Sequence, residues 1–121
     1  MKDIFKDILG IEGVHGVIVL DTEGGVLLSR FSPDYRKEES RISKMSWDSL
    51  IRELAGITEA EFVFDRRRIY VRKVQHGFFM AVLDDLAPVS MVRLNCEILQ
   101  PSLDRLKPGG RIGQILKKRI F

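Results

Sequence analysis

Two apolar runs separated by a short turn, within residues 13–31, constrain the fold of this chain more than any other stretch. The first run, Val17–Leu20, carries no charge, is rich in β-branched residues and is too short for an ordinary helix. The turn, Asp21–Gly25, ends in two glycines, and we expect both to supply the positive φ angles of a tight reversal. Val26–Phe31 then resumes an extended apolar pattern. Because a strand that is apolar on both faces must be covered on both, the hairpin predicts a central strand between helix layers.

The length and composition indicate one globular domain. The chain has 121 residues, of which 45% are hydrophobic and 31% charged, which is enough for a substantial core. No apolar run reaches the roughly 20 residues of a membrane span, and the first residues lack the pattern of a secretory signal. A lone cysteine, Cys96, excludes an internal disulfide and fits a reducing compartment. We therefore expect a cytoplasmic protein.

The positive charge is concentrated at the C-terminus. Residues 107–121 hold five basic side chains and no acidic one, while the rest of the chain holds 15 basic and 17 acidic residues. The pI of about 9.2 is thus a property of this segment and does not indicate a nucleic-acid-binding face. We predict a compact domain over residues 1–106 and a basic, hydrophobic C-terminal tail over residues 107–121.

Hydrophobic periodicity predicts helices and strands in the order αββαβββα, an α/β chain of the α+β kind. Beyond the hairpin, we expect helices over residues 2–9, 38–54 and from about 89 to 106, and strands over 59–64, 69–74 and 78–83. Very short connections join the last three strands, which predicts that they are antiparallel neighbours. Pro101 lies inside the last helix and is expected to kink or split it.

The helix predicted over Glu38–Leu54 has two apolar faces when it is projected at about 100° per residue. One face, expected to cover the sheet, consists of Trp47, Leu50, Ile51 and Leu54. The opposite face consists of Ile42, Met45, Ser46 and Ser49. The two serines would let another helix approach closely, so this second face is either an interface or a solvated surface with two stray apolar side chains.

The element order and the phrase Gly13-Val-His-Gly-Val-Ile-Val-Leu-Asp-Thr-Glu-Gly24 resemble the roadblock/dynein light chain 7 family. That family opens similarly, with a helix, Gly-Val-x-Gly, an apolar strand, an Asp and a Gly in the hairpin turn. The resemblance extends over about residues 1–106. It implies a profilin-like sheet of five antiparallel strands, with the second helix on one face and the first and third helices on the other.

The resemblance also implies an assembly and a function. Such proteins usually form homodimers by packing their second helices together and pairing their third strands, and they commonly scaffold or regulate small Ras-like GTPases. One branch acts as a GTPase-activating protein without being an enzyme itself. The dimer interface implied for this chain comprises Ile42, Met45, Ser46, Ser49, Phe62 and Phe64. Pro101 and the basic tail depart from the general family pattern.

No sequence motif points to catalysis, a cofactor or a metal. A phosphate-binding Gly-x-x-x-x-Gly-Lys-Ser/Thr loop is missing, and the two histidines, His15 and His76, stand apart in sequence. Cys96 lies on the apolar stripe of the last helix, where a buried structural thiol is expected. Asp84 and Asp85 could form a paired-carboxylate site, but a strand-to-helix loop with a capping Asp explains them better. We therefore expect no enzyme activity.

One basic cluster lies within the predicted domain, at Arg66–Arg68 with Arg72 and Lys73. It could meet phosphates or an acidic partner surface, but a solvated turn whose charges discourage strand aggregation explains it better. Few aromatic residues are interleaved with these charges, which argues against an RNA-stacking platform.

The C-terminal tail combines large apolar side chains with three consecutive positive charges. Its candidate partner-binding residues are Ile115, Leu116, Lys117, Lys118, Arg119, Ile120 and Phe121. Three possibilities remain open: the tail folds back onto a groove of its own domain, docks on a partner protein, or attracts an anionic membrane surface. The predicted function is a non-catalytic homodimeric scaffold or regulator of a small GTPase. The alternatives are a small-molecule-sensing module and a membrane-surface adaptor acting through the tail.

Overall fold

The computed structural model describes residues 4–64 and 66–106. The chain order is α1 (Lys6–Leu9), β1 (Val14–Asp21), β2 (Val26–Phe31), a 3-10 turn (Pro33–Tyr35), α2 (Arg36–Ser43), α3 (Asp48–Glu53), β3 (Glu59–Phe64), β4 (Arg67–Val74), β5 (Gly77–Leu83) and α4 (Val89–Leu103). The predicted tail, residues 107–121, and the first residues of the predicted N-terminal helix lie outside the described residues.

The five strands form one antiparallel sheet in the order β2-β1-β5-β4-β3. Every residue of β5 is buried, and so is every residue of β1 except the last. Both strands therefore lie inside the sheet, which confirms the central position predicted for the strand that contains Val17–Leu20. The predicted meander of β3, β4 and β5 is also confirmed, since each of these strands pairs with the next along the chain.

Each face of the sheet is covered by helices. On one face, α1 and α4 pack their apolar stripes on the odd-numbered positions of β5, with Phe5, Ile8, Val92, Cys96 and Phe79 in this cluster. On the other face, Ile42, Trp47, Ile51 and Leu54 pack on the even-numbered positions of β5 and on Ile69 and Val71 of β4. This division of the helices is the one that the family resemblance implies.

The hairpin turn uses one left-handed glycine rather than the predicted two. Gly24 has φ +91°, whereas Gly25 is not among the positive-φ residues. The Asp21 carboxylate stabilises the rest of the turn, because its Oδ1 accepts hydrogen bonds from the backbone N–H groups of Glu23 at 2.8 Å and of Gly25 at 2.9 Å. An Asp side chain that satisfies turn N–H groups stabilises the reversal without a second strained residue.

The single helix predicted over Glu38–Leu54 is wrong, because the chain breaks between α2 and α3. The indole Nε1 of Trp47 donates to the carbonyl oxygen of Ile42 at 3.2 Å, where α2 ends. In one straight helix Ile42 and Trp47 would be about 140° apart. The break turns both side chains toward the sheet, and Ile42 is only 1% exposed. Ile42 is therefore part of the core and does not belong to an outward face, contrary to the prediction.

The predicted split at Pro101 is also wrong, since α4 runs from Val89 to Leu103 without interruption. Proline removes one backbone donor, which would have bonded to the carbonyl of Glu97. Pro101 lies only two residues before the end of α4, so little of the helix follows the lost hydrogen bond. Among the helices of the described residues, none has the length and apolarity needed to cross a membrane.

Candidate functional site

The outer edge of β3 is the first candidate interaction surface. β3 lies at one end of the sheet, and no strand within residues 4–64 or 66–106 pairs with its outer side. The backbone N–H of Lys73 donates to the carbonyl of Thr58 at 2.9 Å, and Ala60 lies opposite Val71. Alternation then directs the backbone groups of residues 58, 60, 62 and 64 toward β4. Glu59, Glu61 and Val63 therefore present theirs to the open edge.

The side chains of β3 divide between the two faces of the sheet. Ala60, Phe62 and Phe64 are half-buried beneath α2 and α3, and the ring of Phe64 lies 5.7 Å from that of Trp47. On the opposite face the side chain of Val63 is 75% exposed. An unpaired edge strand that also exposes an apolar side chain is suited to pairing with another strand.

Of the residues predicted for the dimer interface on the second helix, three are exposed and one is buried. Met45 is 39% exposed, and Ser46 and Ser49 are exposed, in and just after the connection between α2 and α3. The contact between Trp47 and Phe64 brings this connection beside the end of β3. Ile42, by contrast, is buried in its own domain and is not available at such a surface.

A buried polar cluster lies at one end of the sheet, around His15. Its Nδ1 is 3.0 Å from Oε2 of Glu38, on α2, and its Nε2 is 2.9 Å from Oδ2 of Asp84, after β5. The ring stacks on Tyr35 with 3.6 Å between centroids. An ionised carboxylate only accepts hydrogen bonds, so both contacts are satisfied when each ring nitrogen carries a hydrogen. The imidazole thus joins β1 to α2 and to the β5–α4 loop.

Two arginines of the predicted basic cluster complete this arrangement. Arg67 Nε donates to Oε1 of Glu38 at 3.0 Å, and Arg68 donates to the carbonyl oxygens of Asp84 and Ala87. The sequence allows two interpretations of this cluster, a contact with phosphates or an acidic partner and a solvated turn. Neither describes Arg67 and Arg68, since both guanidinium groups form hydrogen bonds within their own domain. Arg66 instead occupies the turn before β4 with φ +65°.

The cluster changes the acidity of both carboxyl groups. Burial would raise the pKa of Glu38, but hydrogen bonds from Arg67 and His15 and their charges outweigh it, so the pKa falls below its ordinary 4.5. The same balance lowers the pKa of Asp84 below 3.8, since the hydrogen bonds from His15 and from the Leu86 N–H outweigh burial. Both groups are therefore stabilised as carboxylates.

A second polar group joins β3, β4 and α4. Oε2 of Glu59 accepts from the Tyr70 hydroxyl and from Arg93 Nε at 2.9 Å, and Arg72 Nε donates to Gln100 at 2.7 Å. Burial, followed by the hydrogen bond to Glu59, raises the pKa of Tyr70 to about 12. These bonds fix α4 across the two strands nearest to the open edge.

Of the remaining candidate residues, Cys96 and Asp84 stabilise the fold. Cys96 is fully buried, as predicted, and burial raises the pKa of its thiol to about 12. Asp84 accepts the Leu86 N–H at 2.8 Å, so it organises the loop before α4. Among the described residues, no group of three or more His, Cys, Asp or Glu side chains is arranged to hold a metal ion. The tail residues 115–121 lie outside the described part of the chain.

Sequence reasoning missed the cluster around His15. Its partners Glu38 and Asp84 lie 23 and 69 residues away in the chain, beyond any spacing rule. The available signal was weak: a lone His in an otherwise apolar strand calls for a polar partner elsewhere.

Comparison with known proteins supports the fold that this geometry shows. Neither a protein-family model nor a curated protein matches the sequence. Solved structures do match. A structure described as MglB with tetrameric arrangement is similar over 85% of this chain and 84% of its own, with 20% identity and a TM-score of 0.58.

Two further solved structures agree. A roadblock/LC7 domain from Streptomyces avermitilis matches over 83% of this chain and 91% of its own, with 13% identity and a TM-score of 0.60. MglC from Myxococcus xanthus matches over 84% of this chain and 98% of its own, with 12% identity and a TM-score of 0.57. With its sheet order, its helix layers and these similarities taken together, the chain has the roadblock/LC7 fold.

Proposed function

We propose that this chain is a non-catalytic, dimeric regulator or scaffold of a small Ras-like GTPase. The observation that carries the proposal is the open edge of β3, with Val63 exposed, beside the exposed α2–α3 connection, in a domain with the roadblock/LC7 fold. The similar solved structures include MglB and MglC, and one MglB structure is described as a tetrameric arrangement. The GTPase is what the family resemblance of the sequence implies.

Two copies related by a two-fold axis would pair their β3 strands in antiparallel fashion. Glu61 and Val63 would contribute the outward backbone groups, and the two sheets would join into one of ten strands. The helices that cover Phe62 and Phe64 in each copy would then lie next to each other on one face of the joined sheet. Met45, Ser46 and Ser49 would then lie where the neighbouring helices meet.

A binding role also fits the state of the reactive side chains. Both ring nitrogens of His15 contact carboxylates, and its side chain is only 3% exposed. The Cys96 thiol is buried, and its pKa of about 12 keeps it protonated at neutral pH. These groups hold elements together, and a proton transfer or nucleophilic attack would require them to be accessible.

The test uses the full chain and purified small Ras-like GTPases encoded in the same genome. Each GTPase is loaded with fluorescent GDP or with a non-hydrolysable GTP analogue, and binding is followed by fluorescence anisotropy. We expect saturable binding with a preference for one nucleotide state. Single-turnover GTP hydrolysis, with and without the chain, then shows whether the regulator accelerates turnover.

Glu61→Pro and Glu61→Ala provide matched variants for this test. The proline removes an outward N–H of β3, and the alanine removes only the side chain, so a GTPase site shared by two copies would be lost in the first and kept in the second. No binding by any of the GTPases in either nucleotide state would overturn the proposal.

A further inference from the structure

The outer face of α4 carries a row of apolar side chains that nothing in residues 4–64 or 66–106 covers. Met91, Leu94 and Ile98 are 49%, 56% and 70% exposed, and they recur at a spacing of three and four residues. Leu86, just before the helix, is 67% exposed. Val92 and Cys96, on the inward face of α4, are fully buried, so this row is a second, separate apolar face.

A groove runs beside the row. It has a volume of about 640 Å³, is open to solvent, and lies between α1 and the start of α4. Its lining includes the apolar Leu86 and Met91 and two carboxylates, Asp7 and Glu12, against one ammonium group, Lys6. The surface therefore suits a segment that is apolar and carries positive charge.

We propose that the chain's own C-terminal segment, residues 111–121, docks on this face of α4 and in the adjoining groove. Its apolar residues Ile112, Ile115, Leu116 and Ile120 follow a spacing of three, one and four, which places them on one face of a helix. The same segment carries Arg111, Lys117, Lys118 and Arg119 and no acidic residue. The segment thus has both properties that the groove requires.

The length of the chain also fits. Leu106 packs in the core at the C-terminal end of α4, so the segment departs from that end. Met91 lies about 18 Å from Leu103, the last residue of α4, along the helix axis. Pro108, Gly109 and Gly110 are suited to a chain reversal, and the 11 residues after them span about 16 Å as a helix. An antiparallel return that starts beside the end of α4 therefore passes Ile98 and Leu94 and extends to the edge of the groove beside Met91.

A second copy is a poorer occupant for this face. A stable protein–protein interface buries about 800 Å² on each partner, and four side chains along one helix supply much less. Docking within one chain needs less area, because the connection of only four residues, 107–110, holds the segment at a high effective concentration. The inference is independent of the proposed GTPase and of pairing through β3.

Hydrogen–deuterium exchange of the full chain tests the proposal, with the amides of residues 111–121 as the readout. We expect these amides to be protected, and Ile98→Glu to raise their exchange about tenfold or more because it places a charge under the apolar contact. Ile115→Ser combined with Leu116→Ser should have the same effect without altering any described residue. Val26→Glu, which changes an exposed apolar side chain on β2, is the matched control and should leave the protection intact.

Three results would overturn the proposal. The segment could exchange as fast as an unstructured peptide in the wild-type chain, which would leave it free for a partner protein or a membrane. Its protection could persist in Ile98→Glu, which would place it on another surface. Its protection could also rise with protein concentration, which would mean that it docks on a second copy.

Discussion

Gly13 and Gly56 share a left-handed backbone but have different surroundings. Their φ angles are +91° and +84°. A Cβ at position 13 would lie 2.4 Å from the backbone nitrogen of Ala87, whereas at position 56 nothing lies within 4 Å. We predict that Gly56→Ala costs about 1 kcal/mol, from the backbone conformation alone, and that Gly13→Ala costs about 3 kcal/mol or more. Urea unfolding of both variants measures this difference, and equal costs would contradict the close approach at Gly13.

The carboxyl group of Glu38 gives a prediction about acid stability. Its pKa is lower in the folded chain than its ordinary 4.5, so its contribution to stability is present above pH 4.5 and is lost as the pH falls through the folded value. Glu38→Gln should therefore lower the free energy of unfolding at pH 7 by about 1–3 kcal/mol. The difference from wild type should shrink as the pH falls below 4.5. Urea unfolding at several pH values checks this, and a difference that does not depend on pH would contradict the assignment.

For single residues, the sequence predicts whether a side chain is buried better than it predicts which residues that side chain contacts. The buried position of Cys96 follows from a helical stripe that is visible in the sequence, and the structure confirms it. The bonds from His15 to Glu38 and Asp84 do not follow, because side chains meet across elements whose relative position only the tertiary fold determines. The same holds for Arg67 and Arg68, which look like solvated turn charges until their partners are known.

Among the elements, strands were predicted more faithfully than helices. The predicted bounds of β3, residues 59–64, are the observed ones, and β4 begins only two residues before its predicted start. The break between α2 and α3 could not be predicted, since no Pro or Gly marks it and the apolar positions fit one helix as well as two. What ends α2 is packing, because Ile42 and Trp47 both gain burial against the sheet when the helix breaks.

This break makes a prediction that distinguishes two neighbouring apolar residues. Ile42 is 1% exposed and Met45 is 39% exposed, although a continuous helix would have put them on one face. We predict that Ile42→Ala costs about 2–5 kcal/mol, as expected for a cavity in a packed core, and that Met45→Ala costs less than about 1 kcal/mol. Chemical unfolding followed by the fluorescence of the single tryptophan, Trp47, provides the measurement. Similar small losses of stability in both variants would contradict the break and favour one unbroken helix.

For the whole molecule, the order of elements was the most informative part of the sequence. Short connections indicate the neighbours of β4, and the uncharged run Val17–Leu20 indicates that β1 is a central strand. That β1 lies beside β5 is a long-range pairing, which local patterns do not specify. The family resemblance implies an interface at β3 and the second helix. Within residues 4–64 and 66–106 the outer edge of β3 is unpaired and Met45, Ser46 and Ser49 are exposed, while Ile42 is buried.

The open edge of β3 gives the prediction for the assembled molecule. If two copies pair along this edge, Glu61→Pro should produce a monomer in multi-angle light scattering, because it removes an outward backbone donor while the hydrogen bonds to β4 are kept. Glu61→Ala should remain a dimer. Val63→Lys supplies a second variant with an unaltered backbone, since a lysine on an edge strand opposes strand pairing. Far-UV circular dichroism verifies that each variant is folded. A wild-type chain that is monomeric at all concentrations, or a dimer that survives both substitutions, would show that this edge does not join two copies.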